Sequence, residues 1–304
     1  MKKTLIAVVG PTAIGKTSWA IQLARHFKTE IISTDSRQFY KEMKIGTAVP
    51  SKNELASAKH HFIQHRSIID PWSVGDFEKS ALNGLEELFT HHNLVIAAGG
   101  SGLYLKAMVE GLDQFPNVPP TIRQELNEEF SIKGLGNLQS QLKKADPEYY
   151  KQVDLQNPHR IIRALEIFRT CGRPYSSFLG KEVQNRHFGV FYLGIGAERS
   201  EVYRRINERV DMMMEAGLLD EARELFQYRD LKALQTVGYQ ELFQYIEGKW
   251  DLDMAVSEIK KNTRRYAKRQ LTWLRKNDAI FWVDHKANVA EVIDKIETEL
   301  KQSL

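Results

Sequence analysis

The residues with the clearest chemical meaning form one glycine-rich segment near the start of the sequence: Gly10, Pro11, Thr12, Ala13, Ile14, Gly15, Lys16 and Thr17. The segment matches the P-loop pattern G-x-x-x-x-G-K-[ST], with a strand-like apolar run before it and a helix-like run after it. Its glycines let backbone N–H groups approach a phosphate, and the helix N-terminus adds a positive dipole end. Lys16 suits an outer phosphate, and the Thr17 hydroxyl suits Mg²⁺. The segment therefore predicts binding of a di- or triphosphate.

A second candidate is Asp35, which directly follows the apolar run at residues 30–34. Ligands of open α/β sheets bind at the carboxyl ends of the strands, so Asp35 is expected near the P-loop. Its carboxylate could serve Mg²⁺ or act as a general base. An aspartate that caps a turn fits the position equally well.

A further buried strand is predicted at residues 94–98, and it ends in the glycine turn 99–102. No acid follows this run, as it would in a Walker B strand, and the sequence contains no Asn-Lys-x-Asp motif for reading guanine. Both absences argue against an ordinary ATPase or GTPase. The glycines permit close approach of a ligand, although a plain strand-to-helix turn explains them equally well.

Basic residues gather in two helix-like segments. Residues 260–276 contain eight lysines and arginines and no acid, and the first six recur at i, i+1, i+4 and i+5 on one helical face. Residues 159–173 add further basic side chains around a single acid. A solvated surface is the usual meaning of such a face, but the lack of acids favours a polyanion such as nucleic acid.

Three arginines, at positions 204, 205 and 209, follow another strand-like run. Arginine forks suit phosphate, so one of these side chains could reach back to the P-loop. Surface pairing with Glu201 or Glu208 is the alternative.

The elements that must position these residues are predicted from apolar periodicity. Helix-like segments separate five strand-like runs, at about residues 4–9, 30–34, 93–98, 188–195 and 279–283. This order predicts an α/β fold, a P-loop NTPase-like parallel sheet core covered by helices. Residues 114–186 contain no convincing strand and are predicted to form an inserted all-helical domain, which leaves residues 1–113 plus 187–304 for the core.

Composition narrows the class of protein further. The 304 residues carry a formal net charge of +4 and one cysteine, Cys171, so an intramolecular disulfide and a cysteine-based metal cage are excluded. A single cysteine fits a reducing compartment, and no apolar run approaches the length of a membrane span. These features predict a cytoplasmic protein, and nothing in the sequence demands more than a monomer.

Taken together, the motifs make the chain resemble the tRNA dimethylallyltransferase family, the bacterial tRNA isopentenyltransferases. The resemblance covers most of the chain, and its specificity lies in the order and spacing of the matching segments: residues 10–17, 35–40, 43–48, 60–61, 69–71, 99–104, 157–160, 163–166, 237–239, 267–270 and 273–274. Two departures are small. Ile14 stands where the family usually has a small residue, and Ser101 replaces the commoner threonine but keeps the hydroxyl.

The resemblance implies a reaction. A dimethylallyl group passes from dimethylallyl diphosphate to the exocyclic amine of the adenosine just 3′ of the anticodon in tRNA, and pyrophosphate leaves. The P-loop would hold the donor diphosphate with Mg²⁺ on Thr17, which agrees with the missing Walker B acid. By the same resemblance, Thr12 lies near the bridging oxygen, Arg205 stabilises the leaving group, and Asp35 is the general base.

The resemblance also implies where tRNA is held. The inserted helical domain would grip the anticodon stem-loop. The implied contacts are Asp35, Ser36, Arg37, Gln38, Ser101, Arg123, His159, Arg160, Ile161, Ile162, Arg163, Gln235, Thr236, Val237, Gly238, Tyr239 and Gln240.

Three other functions remain open at this stage. An adenylate isopentenyltransferase would use a free nucleotide as acceptor, against which the helical insertion and the basic segments argue. A small-molecule kinase would share the P-loop, but such kinases are usually shorter and lack the segment 35–40. A non-catalytic nucleic-acid-binding P-loop protein would show no prenyl transfer.

Overall fold

A computed structural model of the chain describes residues 3–70, 72–180 and 186–302. Pro71, which belongs to one of the matching motifs, lies outside the described residues. Within them, one parallel sheet has the strand order β3-β2-β4-β1-β5-β6. Its strands are β1 (Thr4–Val9), β2 (Ile31–Ser33), β3 (His60–His61), β4 (Leu94–Ala98), β5 (Gly189–Gly196) and β6 (Ile280–Asp284). The predicted α/β fold class is therefore confirmed.

The helices alternate with the strands, as the predicted order requires. Those of the described residues are α1 (Lys16–His26), α2 (Lys52–Ser57), α3 (Val74–His91), α4 (Gly102–Glu110), α5 (Pro120–Ala145), α6 (Pro147–Gln152), α7 (Pro158–Cys171), α8 (Arg199–Glu215), α9 (Leu218–Leu225), α10 (Tyr239–Ile246), α11 (Leu252–Leu274) and α12 (Val289–Gln302). Two short 3-10 helices, at Tyr175–Phe178 and Phe226–Tyr228, complete the set. No helix of the described segments is long and apolar enough to cross a membrane.

The central strand β1 explains why the sheet is covered on both faces. Side chains alternate across a strand, so Leu5 and Val9 enter one core while Ile6 and Val8 enter the other. The first core packs the sheet against α3, α4 and the helices α9–α11, and the second packs it against α1 and α12. A continuous apolar run is what a strand buried on both faces needs.

The register of the sheet brings the carboxyl ends of β1, β2 and β4 together. Val8 lies beside Ala98, and Ala98 lies beside Ser33. The chain runs from β1 towards β2 on one side and later returns to β5 on the other, so β1 adjoins the topological switch point. Ligands of open α/β sheets bind at such a point.

The strand β3 was not predicted. It has only two residues, His60 and His61, which pair with Ile31 and Ile32 of β2. Two residues are too few to produce a readable alternation of apolar and polar side chains. His60 Nδ1 lies 2.8 Å from the carbonyl oxygen of Ala58 and His61 Nε2 lies 2.6 Å from Glu30 Oε2, which agrees with a structural role for this pair.

The chain divides into two compact units, Met1–Glu110 with Arg186–Leu304 and Gly111–Asn185. The second unit contains α5, α6 and α7 around a core that includes Leu126, Leu142 and Ile161. α5 is interrupted at Gly134, whose φ of 73° lies outside the helical range. Glycine tolerates this left-handed conformation because it has no Cβ.

Candidate functional site

A cavity of about 710 Å³ opens at the carboxyl ends of β1, β2 and β4. We call it the P-loop cavity, since Thr12, Ala13 and residues 15–18 supply much of its wall. Asp35 follows β2 and Gly99 follows β4, and both also line it. The first turn of α1 therefore points its free backbone N–H groups into a space that also contains a carboxylate.

The P-loop backbone has the curvature that anion binding requires. Gly15 has a φ of 104° and Ala13 a φ of 63°, so the turn uses two left-handed positions. The Nζ of Lys16 donates hydrogen bonds to the carbonyl oxygens of Gly10 and Pro11, at 3.0 and 2.8 Å. Ile14 is buried in the core and does not line the cavity.

Three cations and three acids line the P-loop cavity. Lys16, Arg205 and Arg209 line it, together with the acids Asp35, Glu54 and Glu208. Burial, with the neighbouring charge of Arg209, lowers the pKa of Lys16 to about 7, and Asp35 opposes the shift. Burial also lowers the pKa of Arg209. A polyphosphate anion would relieve this crowding of cations in a poorly solvated space.

Asp35 caps a turn and also lines the P-loop cavity. Its Oδ1 accepts hydrogen bonds from the backbone N–H groups of Arg37, at 2.8 Å, and Gln38, at 3.2 Å, which is the turn-capping arrangement. Its Oδ2 lies on the side of Gly100, where an added Cβ would come within 3.0 Å of it. One carboxylate oxygen therefore orders the turn and holds the other at the cavity wall.

Helix α8 positions two of the three clustered arginines. Arg205 and Arg209 are four residues apart and so lie on the same face of the helix, beside the buried side chains of Val202 and Ile206. The Nε of Arg205 donates a 2.8 Å hydrogen bond to the carbonyl oxygen of Ala13, which holds the guanidinium over the P-loop. Arg205 is therefore the arginine of the three that reaches back to the P-loop.

Arg204 takes the alternative arrangement. It is exposed and pairs with Glu201 and Glu208 on its own helix.

The residue type of Gln270, on α11, did not predict a place in the site. Its side chain is buried; Oε1 accepts a 2.8 Å hydrogen bond from the backbone N–H of Thr12, and Nε2 donates a 2.7 Å hydrogen bond to the carbonyl oxygen of Gly100. The hydroxyl of Tyr266 donates to the same oxygen at 2.9 Å. One signal in the sequence could have indicated a buried hydrogen-bonding role for Gln270. This residue lies between Ala267 and Leu274, at the spacing of one helix face, and is polar where its neighbours on that face are apolar.

A second cavity of about 280 Å³, the apolar cavity, shares Thr12, Asp35 and Arg209 with the first. Its apolar wall comes from side chains of α8, α9 and α11 and from the segment before α10: Ile206, Val210, Met213, Leu218, Val237 and Ile259. The shared residues make the two cavities neighbours around the Asp35 carboxylate.

The proposed tRNA contacts at residues 235–240 lie in three places: the apolar cavity, the surface and the core. Thr236, Val237 and Gly238 line the apolar cavity, and the side chains of Gln235 and Gln240 are exposed and hydrogen-bond each other. Tyr239 is fully buried. Its hydroxyl donates to Glu221, at 2.7 Å.

Glu221 also organises the loop that follows β2. Its carboxylate accepts hydrogen bonds from the backbone N–H groups of Lys44, Ile45 and Gly46. The ring of Tyr239 lies so close to Gly46 that a Cβ there would come within 2.6 Å of it. Since Thr47 and Ala48 of this loop line both cavities, Glu221 shapes the site from outside it.

The remaining implied contacts at the ends of β2 and β4 lie beside these cavities. Ser36 and Arg37 line the apolar cavity, and Gln38 lines the P-loop cavity. The Nε2 of Gln38 donates to the carbonyl oxygens of Thr47 and Ala48. Ser101, after β4, lines a third pocket.

In the second unit, the basic residues surround one buried carboxylate. Arg123 and Arg163 both pair with Glu166, which is 1% exposed. His159 and Arg160 are exposed at the start of α7, whereas Ile161 and Ile162 belong to the core. Two arginines on one carboxylate leave a net positive charge on this surface.

Helix α11 carries the acid-free basic segment. Lys260 and Lys261 pair with Asp211 and Glu258, whereas Arg265, Lys268 and Arg269 are exposed. The buried side of the helix includes Ala255, Ile259, Ala267, Gln270 and Leu274. The helix therefore joins the P-loop on its inner side to an exposed basic surface on its outer side.

The parallel sheet, the P-loop after β1 and the cavity at the switch point define an α/β protein of the P-loop class. The model of the IPP transferase family matches residues 38–277. The chain belongs to this family, since the match covers more than half of its length.

Relatives agree along the whole chain. The tRNA dimethylallyltransferase of Christiangramia forsetii is 57% identical over 99% of each chain, and that of Flavobacterium johnsoniae is 52% identical over 99% of this chain and 100% of its own. The crystal structure of the tRNA isopentenylpyrophosphate transferase from Bacillus halodurans is 35% identical, with a TM-score of 0.73 over 99% of this chain and 98% of its own.

A eukaryotic dimethylallyltransferase acting on tRNA has the same fold. Its TM-score is 0.82 at 23% identity, over 99% of this chain and 80% of its own.

Proposed function

We propose that the protein transfers a dimethylallyl group from dimethylallyl diphosphate to the exocyclic N6 amine of the adenosine immediately 3′ of the anticodon in tRNA. The observation that carries this proposal is the P-loop cavity, in which Lys16, Arg205 and Arg209 face the carboxylate of Asp35. The cations suit a diphosphate, and the carboxylate suits the proton that the attacking amine must lose.

The donor diphosphate would bind to the backbone N–H groups of the P-loop, residues 10–17, and to Lys16. Thr17 lies in the first turn of α1 and lines the cavity, as does the carboxylate of Asp35, so the oxygen donors present fit Mg²⁺. Thr17 would hold the ion, which neutralises charge on the leaving diphosphate when bound. The apolar cavity beside Asp35 suits the dimethylallyl chain.

In the transfer step, the N6 lone pair forms a bond to the first carbon of the dimethylallyl group. The bond from that carbon to the diphosphate oxygen breaks, and its electron pair remains on the oxygen. Asp35 accepts the proton that N6 loses. Thr12 would contact the diphosphate near the bridging oxygen, and Arg205 and Lys16 would stabilise the negative charge that develops on that oxygen.

The proposed acceptor contacts comprise one set of residues in each unit. Residues 35–38 and Ser101 would hold the target nucleotide, and residues 235–240 would hold the loop around it. The second unit would grip the anticodon stem-loop through Arg123 and residues 159–163. Its net positive surface and the exposed basic face of α11 support this role, because phosphate contacts dominate the affinity for nucleic acid.

The alternative acceptors and reactions receive less support. The names of the full-length relatives specify tRNA, which favours neither a free-nucleotide acceptor nor a kinase. The glycine turn after β4, where a Walker B acid would stand, also fits a reaction without ATP hydrolysis. We further propose that the enzyme acts as a cytoplasmic monomer, which its single cysteine and basic surfaces suit.

The test is transfer of radiolabel from dimethylallyl diphosphate, with Mg²⁺, to an anticodon stem-loop, run beside AMP and ATP as acceptors. The Asp35→Asn variant keeps the size of the side chain but removes the base, so kcat is expected to fall roughly 10²- to 10⁴-fold. The Asp253→Asn variant, at an exposed position on α11, serves as the matched control. Label in AMP alone would contradict the tRNA assignment, and an unchanged kcat for Asp35→Asn would contradict the role of Asp35.

A further inference from the structure

A third pocket, of about 290 Å³, lies on the outer side of the Gln270 hydrogen bonds. We call it the Trp273 pocket. Its wall combines Ser101, Gly102 and Leu103 at the start of α4 with Arg269 and Trp273 of α11. Of the P-loop residues 10–17 this wall contains Gly10 alone, and Lys16 and Arg205 do not belong to it, so the pocket is distinct from the cavity that would hold the donor.

Trp273 forms an aromatic surface in this pocket. The six-membered part of its ring lies against Gly102, where an added Cβ would come within 2.7 Å of it. The tryptophan is nevertheless 41% exposed, and the neighbouring Leu103 is 54% exposed. A large apolar side chain that rests on a glycine and remains open to solvent is available to stack with a flat ligand.

The charge of the pocket favours an anionic ligand. Lys106 and Arg269 line it, and none of the described residues in its wall is acidic. The exposed Lys268 lies on α11 one residue before Arg269, and the exposed Arg275 directly follows the last residue of the helix. An aromatic ring flanked by cations is the combination that binds single-stranded nucleic acid, by stacking a base and attracting its phosphate.

The pocket is also next to the reacting centre. Tyr266, Gln270 and Gly100 form part of its wall and part of the wall of the P-loop cavity. On the cavity side, the same Gly100 approaches the Oδ2 of Asp35. A ligand in the Trp273 pocket is therefore separated from the Asp35 carboxylate by little more than one layer of residues.

We propose that the Trp273 pocket binds one unpaired RNA base, that of the nucleotide next to the target adenosine on its 5′ or its 3′ side. The inference rests on the proposed function, since it assumes that the adenosine enters beside Asp35. A base stacked on Trp273 keeps the neighbouring nucleotide in place while the adenosine leaves the stack of the loop. Trp273 would then select for an open loop with a stackable base at that position.

The experiment is a cycle of binding measurements with a fluorescent anticodon stem-loop and no donor present. Three loops are compared: the intact loop, and loops that carry an abasic nucleotide on the 5′ or the 3′ side of the target adenosine. The proteins are the wild type, Trp273→Ala, Trp273→Phe and Trp282→Ala. Trp282 is the matched control because it is 38% exposed and lies over Gly194 in the same manner, on strand β6.

The expected loss for Trp273→Ala on the intact loop is about ten-fold in Kd, the usual effect of one lost stacking contact. One abasic loop is expected to weaken the wild type by a similar factor, and Trp273→Ala is expected to add nothing further with that loop. Trp273→Phe should retain most of the affinity, and Trp282→Ala should change nothing. A loss for Trp273→Ala that is equal on all three loops, or no loss, would overturn the inference.

The two proposals fail separately. Radiolabel transfer by the wild type tests the proposed function, whereas the binding cycle is measured without donor and tests only the pocket. Thermal unfolding of each variant, together with pyrophosphate binding at the P-loop, checks that the fold and the donor cavity are intact.

Discussion

Gln270 offers the sharpest test of how the P-loop is held. Its side-chain amide is a bridge between the backbone of Thr12 and the carbonyl oxygen of Gly100, which connects the loop after β1 to the turn after β4. The Gln270→Leu variant removes both hydrogen bonds while nearly conserving the volume of the side chain. We expect the loop to lose its fixed orientation over the donor, so that Thr12 no longer points at the bridging oxygen.

The magnitude follows from the number of groups left without a partner. The carbonyl oxygen of Gly100 still accepts from the hydroxyl of Tyr266 in this variant, so only the N–H of Thr12 becomes unsatisfied. One such group costs about 1–3 kcal/mol in the free energy of unfolding. A small displacement of the P-loop is expected to lower kcat by about 10²-fold, since misplacement near 1 Å has effects of that size.

The assay measures kcat and the donor KM for dimethylallyl transfer to the stem-loop, beside chemical unfolding. The Tyr266→Phe variant is the matched control, because it removes the other hydrogen bond to Gly100 and leaves both bonds of Gln270 in place. We expect its kcat to stay within about three-fold of the wild type. Equal losses in the two variants, or a wild-type kcat for Gln270→Leu, would refute the positioning role.

Three further outcomes are expected. The pKa of Lys16 is lowered to about 7, and a bound diphosphate is expected to raise it, so that donor binding above pH 7 requires the uptake of a proton. The donor KM should therefore rise by up to about ten-fold per pH unit above pH 7. A donor KM that does not change with pH would contradict this prediction. Glu221→Gln should lower the free energy of unfolding in urea titrations by about 2–3 kcal/mol, because an amide cannot accept all the hydrogen bonds that this carboxylate accepts. The control variant Glu224→Gln, at an exposed position, should leave the free energy of unfolding unchanged. Arg205→Ala should lower kcat by about 10²-fold or more and Arg204→Ala by less than about two-fold, and the reverse order would show that the wrong arginine has been assigned.

Local patterns account for what the sequence predicted well. The P-loop lies within one strand, one turn and one helix, so its residue types specify both its structure and its chemistry. The strands β1, β4 and β5 are apolar runs that can be read from a window of a few residues. β3 was not predicted because its two residues form a strand by pairing with β2, and two residues are too few to show a pattern of their own.

Contacts between distant segments account for what was missed. Gln270 meets Thr12 across 258 positions of the chain, and Glu221 meets Gly46 across 175. In the sequence, Gln270 looks like one more polar residue of a basic helix, and Glu221 looks like a surface acid of α9. Their partners are backbone groups, which carry no residue signature, so only the packing of α9 and α11 on the core reveals them.

By itself, the sequence determined the α/β fold class, the P-loop, the candidate base Asp35 and the resemblance to one family of tRNA-modifying enzymes. The tertiary structure decided which charges act at the site. Arg204, Arg205 and Arg209 are equivalent in the sequence, yet the pitch of α8 turns the second and third towards the P-loop cavity and leaves the first paired at the surface. Charge is a property of a residue type, whereas burial and partners depend on where the helix packs.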